Sequence, residues 1–377
     1  MSQHREFFLK QSEHSKIKSE IVAEYLPVWA NIIRKSVEAH GSGKLTYLDM
    51  FSGPGEFEDG NPSTPLMIMN EIEANPSLAE VLQMHFYEGD SEYIRKLQEK
   101  MSTHAAWANL RFIPEFQHIT LDLEKTIQIG RNAPDGTFSF IDPFGYKEIS
   151  LDLLLAVSQQ WGCDTLFYFN ASGIERNIRD ISKSEQMVRL FGLDGYNELK
   201  SCLDSRRESS LPIIAVEMLK TSLTSRKRVY FLPFCMEFDE RRYPSHFLIF
   251  LSKHQRGFQK MREIMIRKSL KDTHGFPLYM HSPQREKDAE QWELPLVLQE
   301  SRMSVFAKEL LKRFGGKTIT YGELTDRCLI LGCPYPNALV RKTLWHMLES
   351  DSAKSTGRDI RSESAFRKND ALLFRSE

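Results

Sequence analysis

The stretch Tyr47-Leu48-Asp49-Met50-Phe51-Ser52-Gly53-Pro54-Gly55 decides how this chain is read. The apolar run Leu45 to Phe51 is too short for a helix and lies between glycines, so it reads as a first β-strand. It meets an acid, Asp49, and passes directly into a turn with two glycines. Gly53 and Gly55 lack a β-carbon, so the backbone can turn sharply there and a ligand can come close to it. Doubly wound α/β sheets bind their ligands at this place, at the carboxyl end of the first strand. No third glycine follows at the spacing of the dinucleotide fingerprint G-x-G-x-x-G.

Working outward, Ile17, Ile21, Tyr25, Trp29, Ile32 and Ile33 recur at helical spacing and predict an amphipathic helix over 15–39, with a possible kink at Pro27. After the glycine turn, Thr64 can cap a helix with Pro65 at its first position. Val81–Tyr87 reads as strand two, ending in Glu88-Gly89-Asp90, and residues 91–101 as a helix. Leu110–Phe116 reads as strand three and Phe138–Ile141 as strand four, which ends in Asp142-Pro143-Phe144-Gly145. A helix over 151–160, strand five over 165–169 ending in Asn170, and a helical stretch to about 222 follow. Runs at 228–236 and 246–252 read as an antiparallel hairpin, and 257–270 as a helix. Five strands alternating with helices allow any doubly wound fold; the closing hairpin favours a Rossmann-like α/β sheet of the class I methyltransferase kind, in a domain over 1–290.

Residues 291–300 read as a linker. From 301 the pattern changes: a helix with Phe306, Leu310, Leu311 and Phe314, a short strand at 318–321, a helix over 323–331, a turn at 332–336, and a helix opened by Asn337. A basic hairpin closes the chain, so 301–377 resembles a winged helix-turn-helix domain. This segment holds 14 Lys/Arg against 9 Asp/Glu, which makes Arg341, Lys342, Arg358 and Arg361 candidate phosphate contacts. Protein contact is the competing reading of the same module.

Composition bounds the rest. The 377 residues are 41% hydrophobic and 27% charged with a formal net charge of −1, so a core can form and any basic surface must be local. Cysteines 163, 202, 235, 328 and 333 form no C-x-x-C pair, which suggests neither a zinc site nor a disulfide framework and fits a reducing cytoplasm. The opening residues lack a signal-peptide run, and no apolar run approaches the roughly 20 residues of a membrane helix. The expectation is a cytoplasmic protein with neither membrane nor metal among its partners.

Two constellations carry chemistry. The D-x-F-x-G-x-G form resembles the S-adenosylmethionine (SAM) loop of class I methyltransferases, especially those acting on nucleic acids. That resemblance implies SAM as cofactor, with Asp49, Phe51, Ser52, Gly53 and Gly55 forming its cradle. Glu88 is placed for the ribose hydroxyls, with Asp90 as backup. Glu115 and Gln117 either face the adenine or sit in a solvated loop. The second constellation, Asp142-Pro143-Phe144-Gly145-Tyr146, resembles the D/N-P-P-Y motif of amino-methyltransferases, and its D-P-F-G form is similar to that of the tRNA guanosine N2-dimethyltransferases. An exocyclic base amine delocalises its lone pair into the ring. A carboxylate (Asp142) and a main-chain carbonyl (Pro143) accepting its N–H bonds would aim that nitrogen at a methyl group, while Phe144 or Tyr146 stacks on the base. An Asp-Pro turn with core aromatics is the plainer alternative. No cysteine lies near strand four, which argues against a C5-pyrimidine mechanism. Gly41-Ser42-Gly43-Lys44 precedes a strand and lacks the P-loop Ser/Thr.

The whole chain resembles the three-Cys-motif partner protein (TcmP) family. The matching features are Phe7-Phe8, Lys18-x-x-Ile21-Val22-x-x-Tyr25-Leu26-x-x-Trp29, the Asp49–Gly55 loop, Glu58-Asp59-Gly60 with Ser63-Thr64-Pro65, Ile141–Gly145, and Phe247–Phe250 with Lys253-His254. The resemblance implies a SAM-methyltransferase-like domain, a C-terminal winged helix, and a three-cysteine protein encoded by a neighbouring gene as possible partner. It also points toward bacterial conflict or nucleic-acid modification. The expected activity is N-methylation of an exocyclic base amine in RNA or DNA. A non-catalytic SAM- or nucleotide-binding partner subunit and a DNA-binding regulator remain open.

Overall fold

A computed structural model describes residues 8–40, 43–143, 145–204, 211–238, 244–269, 306–308, 310–311, 314–324 and 337–375. The chain forms two compact units that divide after Lys268. The expected linker, Phe144, the turn at 332–336 and most of the helix expected over 323–331 lie outside the described residues.

The first unit is built on seven strands: β1 (Leu45–Asp49), β2 (Leu82–Glu88), β3 (Glu115–His118), β4 (Thr137–Ile141), β5 (Asp164–Asn170), β6 (Tyr230–Phe238) and β7 (Pro244–Ser252). Their order is β3-β2-β1-β4-β5-β7-β6. β1 to β5 are mutually parallel, and β7 runs antiparallel between β5 and β6. This is the Rossmann-like sheet of class I methyltransferases. Strand order reverses at β1, between β2 and β4, which opens a crevice at the carboxyl ends. Every residue of β1 and β4 is buried, as expected of parallel strands covered on both faces.

The covering helices are α1 (Glu13–His40), α2 (Thr64–Ala74), α3 (Ser91–Ser102), α4 (Leu123–Asn132), α5 (Leu151–Val157), α6 (Ile174–Arg179), α7 (Ser184–Asp204), α8 (Leu211–Arg226) and α9 (Gln255–Arg267). The apolar stripe of α1, including Ile21, Tyr25 and Trp29, is buried, and the helix continues through Pro27. Tyr25 donates to Asp164 Oδ2 at 2.6 Å, and Trp29 Nε1 donates to the Gly162 carbonyl at 3.0 Å. Burial raises the Asp164 carboxyl to about 6 against the opposing hydrogen bonds from Ser252 and Tyr25. Gly257 of α9 faces this cluster: a β-carbon there would lie 2.8 Å from Asp164 Oδ2 and 2.9 Å from the Tyr25 hydroxyl.

Several boundaries differ from the sequence reading. β3 begins at Glu115, because Leu110–Pro114 is a bend followed by irregular chain in which Ile113 is exposed. α4, capped by Asp122 accepting from Lys125 N, has no counterpart in the sequence reading. Ser63, not Thr64, is the residue before α2. Among the described residues the helical stretch to 222 holds three α-helices, and Gly192 breaks α7 with φ 74°.

The second unit has its own core, with Phe306, Leu310, Phe314, Leu324, Leu344, Leu372 and Phe374 among its members. Strands β8 (Thr318–Thr320), β9 (Ala353–Ser355) and β10 (Ala371–Phe374) form an antiparallel sheet in the order β8-β10-β9, and α10 spans Asn337–Glu349.

Tyr25→Phe removes one of the hydrogen bonds to a buried carboxyl. It is expected to cost about 1–3 kcal/mol in urea unfolding; an unchanged midpoint would mean that the Tyr25–Asp164 contact does not help hold α1.

Candidate functional site

A cavity of about 330 Å³ opens at the carboxyl ends of β1 and β4. Asp49, Phe51 and Ser52 enter it from the end of β1, and Asp142 and Pro143 from the end of β4. These two ends meet because β1 and β4 are hydrogen-bonded neighbours, with Asp49 opposite Phe140. α1 supplies a wall with Ser15, Lys18 and Ser19; α2 supplies Thr64, preceded by Ser63. Tyr168 and Asn170 of β5 and His246 of β7 close the far side.

Asp49 is buried. Tyr47 donates to its Oδ2 at 3.0 Å and the Phe51 amide to its Oδ1 at 3.3 Å. Burial nevertheless raises the carboxyl to about 7, and the charges of Asp142 and Glu88 add to the rise. Asp142 Oδ2 accepts from Lys18 Nζ in an ion pair whose side chains are 19% and 5% exposed. Lys18 Nζ also lies 4.4 Å from the centre of the Tyr168 ring. Tyr168 stacks on His246 at 5.8 Å and 17°, and His246 on His14 at 6.2 Å and 13°. Burial, helped by the Lys18 charge, depresses His246 to about 4, so that imidazole is neutral at pH 7.

The other sequence candidates have different surroundings. Gly53 and Gly55 adopt φ of 64° and 85°, which side-chain-bearing residues avoid. The space beside Gly53 is taken by Phe8, whose Cζ would lie 2.8 Å from an added β-carbon; that beside Gly55 is taken by Leu97. Close approach at both glycines is therefore made by the protein's own side chains. Glu88 does not line the cavity: its Oε2 accepts from Gly53 N at 2.8 Å and its Oε1 from Asp90 N at 2.9 Å, tying β2 to the loop. Asp90 caps α3, accepting from the amides of Glu92 and Tyr93. Tyr146 does not line the first cavity either; its ring packs 6.0 Å from that of Phe169, beside a second cavity. Glu115 is exposed and pairs with His85 at 3.3 Å. In the second unit Arg341 and Lys342 lie on α10, while Arg358 is held by Asp370 at 2.7 Å and Arg361 by Asp359 at 3.1 Å.

Lys18, Tyr168, Asn170 and His246 line the cavity although no motif in the sequence marks them as site residues. Two features make this a candidate ligand site, and the second favours a cation. Ser63 Oγ lines it, is closed off from solvent and has no hydrogen-bond partner among the described residues. Asp49 and Asp142 also place two carboxylates in one corner, with the charge of Glu88 acting on Asp49 from outside the lining, and Lys18 pairs with Asp142. Among the described residues no group of His, Cys, Asp and Glu could hold a metal, and no helix is long and apolar enough to cross a membrane.

No protein-family model matches the chain, and no curated protein matches its sequence. Similar solved structures include the DszA carbon methyltransferase, at 14% identity over 65% of this chain with a TM-score of 0.35; the match spans 56% of that protein. The plantazolicin methyltransferase BamL, in complex with a triazolic desmethylPZN analog and SAH (S-adenosylhomocysteine), matches at 10% identity over 66% of this chain and 94% of its own, with a TM-score of 0.29. Its counterpart BpumL matches at 13% identity over 64% and 90%, with a TM-score of 0.30. Likenesses this distant carry no argument about activity.

Asp49 ionises near 3.8 as a free side chain and near 7 in the fold. Its ionisation therefore favours the unfolded chain, and its contribution to stability falls as pH rises from about 4 to above 7. Asp49→Asn is expected to raise the melting temperature, by more at pH 8 than at pH 4.5. An equal change at both values would show that the Asp49 charge does not burden the fold.

Proposed function

We propose that the chain is a SAM-dependent methyltransferase that N-methylates an exocyclic base amine of a nucleic acid. One observation carries the reading: the acid-ended β1 loop and Asp142-Pro143 line a single cavity at the carboxyl ends of adjacent parallel strands. Its volume lies at the low end of the roughly 300–1,000 Å³ common for ligand pockets. Bound there, SAM supplies an electrophilic methyl group on a cationic sulfonium.

The residues divide the work by charge. Asp49 balances a positive charge in the cavity, and a cation beside it relieves the repulsion from Asp142 and Glu88. Phe51 and Ser52 line the donor side, and Ser63 Oγ offers an unused hydrogen-bonding group. Asp142 Oδ1 and the Pro143 carbonyl accept the two amine N–H bonds, turning the nitrogen lone pair toward the methyl group. Transfer of the methyl group would break its bond to the sulfonium and leave the neutral thioether of SAH, and the proton lost by the amine would pass to Asp142. Lys18 must give way from Oδ2, or share Asp142 with the amine.

The Lys18–Asp142 pair also favours a second reading, a SAM-binding subunit without turnover in which Asp142 is neutralised for good. The TcmP resemblance belongs with either reading, and with a three-Cys-motif protein as partner. The second unit reads as a winged helix: α10 precedes the antiparallel β9–β10 pair and carries Arg341 and Lys342. Arg361 is exposed and its pair with Asp359 is solvent-exposed, so a phosphate can compete for it, whereas Arg358 is engaged within the unit by the buried Asp370.

Calorimetry should show SAM binding that strengthens as pH rises through about 7 and levels off above it, because a cation prefers the ionised Asp49. No heat with SAM or SAH removes both readings. Incorporation of labelled methyl groups into total RNA and DNA separates them. Asp142→Asn should reduce incorporation about a hundredfold or more while leaving SAH affinity nearly unchanged; full activity in that variant would overturn the role given to Asp142.

A further inference from the structure

A second cavity, of about 410 Å³, lies on the other side of the β4 end and shares Pro143, Tyr168 and Asn170 with the first. Its chemistry is of the opposite sign. Lys147, Arg176 and Lys183 line it, and none of the three has an ion-pair partner among the described residues. Glu148 is the carboxylate in its lining. The neighbouring acids are engaged elsewhere: Glu175 pairs with Arg179 at 3.1 Å, and Asp180 accepts from Ser182 N at 2.9 Å and Ser182 Oγ at 2.7 Å.

An independent feature marks the same place. The hydroxyl of Tyr146 is closed off from solvent and has no hydrogen-bond partner among the described residues. A buried hydroxyl left unpaired costs about 1–3 kcal/mol, and such groups are uncommon enough to need a cause. Tyr146 lines the cavity together with Arg176, and both lie beside Gly173: a β-carbon there would be in ordinary contact with Asn177 Nδ2 at 3.5 Å, Arg176 Nη2 at 3.6 Å and Tyr146 Cε2 at 3.8 Å. Unpaired cations beside an unsatisfied phenol form a site that lacks an anion with several acceptor oxygens. A phosphate has them.

We propose that this second cavity binds the acceptor through its phosphate, taking a nucleoside monophosphate unit with the phosphate on Arg176 and Lys183 and the base directed past Tyr168 toward Asp142. This rests on the methyltransferase reading for its direction of entry, and it names the acceptor as phosphate-bearing. Lys147 extends the basic rim along which a longer strand continues.

The test is calorimetric titration of the full chain with the four 5′-mononucleotides, the matching nucleosides and inorganic phosphate, each with and without excess SAH. SAH binding by itself judges the cofactor reading. The mononucleotide arm judges the pocket, and its result stands whether or not SAH binds. At least one mononucleotide should bind about tenfold or more tightly than its nucleoside, as expected for charge-assisted hydrogen bonds. Arg176→Ala/Lys183→Ala should remove that difference. The proposal is overturned if no mononucleotide binds at millimolar concentration, if nucleosides or inorganic phosphate bind as well as mononucleotides, or if the double variant retains wild-type affinity.

Discussion

Helix α1 carries several polar groups into a mostly apolar interface, and three of them end on fixed points of the sheet or its loops. Lys18 reaches Asp142 beyond β4, Tyr25 reaches Asp164 at the start of β5, and Trp29 reaches the Gly162 carbonyl just before it. The apolar stripe supplies most of the buried area, but area alone does not set register: a helix displaced by one turn would still bury Ile21 or Leu26. The same displacement would strand a buried lysine, two carboxylates and a phenol without partners, each at a cost of about 1–3 kcal/mol or more. The polar contacts therefore fix where α1 lies, and with it the wall of the first cavity. A side chain with one job in the packing, Lys18, thereby acquires a second job in the site.

The corner formed by Asp49, Glu88 and Asp142 departs from what stability alone would select. Glu88 is well compensated by two backbone amides, and Asp142 by Lys18. Asp49 is not: a phenol and a single amide leave its carboxyl raised to about 7. A hydrophobic or amide residue would pack there at lower cost. Retaining a carboxylate in such surroundings makes sense where a positive charge is to be received, since the field is already in place when it arrives.

What can be read from the sequence depends on how local each feature is. β1, β4 and β5 are visible because buried strands are short, mostly apolar runs in which the polar exceptions are mainly small Thr and Ser residues, and the residues at their tips follow directly. β3 is misplaced by the same reasoning because its own residues, Glu115 to His118, are mostly exposed at the sheet edge, while the apolar residues just before it lie in a bend and irregular chain with Ile113 70% exposed. Lys18 enters the sequence analysis only as part of the helix pattern shared with the TcmP family, with no role of its own; the tertiary contact with Asp142 gives it one. His246 and Asn170 are far apart in the chain and meet because β7 pairs antiparallel with β5, a register no local pattern encodes. Phe8 is a further case. Its ring fills the space over Gly53, so that glycine serves packing as well as the turn.

The two cavities on either side of Pro143 differ in sign, and the difference bears on direction. The first gathers carboxylates around one lysine; the second gathers three cations around one carboxylate. On the proposed reading, a cationic methyl donor and an anionic acceptor are each drawn to the side that suits them and repelled from the other. They meet at Asp142-Pro143, beside the point where the sheet order reverses. A single uniformly acidic cleft would attract the donor but oppose a phosphate-bearing acceptor. Screening weakens such an effect between exposed groups about 10 Å or more apart in 0.1 M salt, but much less within a partly buried cleft. The β4 tip thus lies between two fields of opposite sign, the arrangement that transfer from a cation to an anion would require.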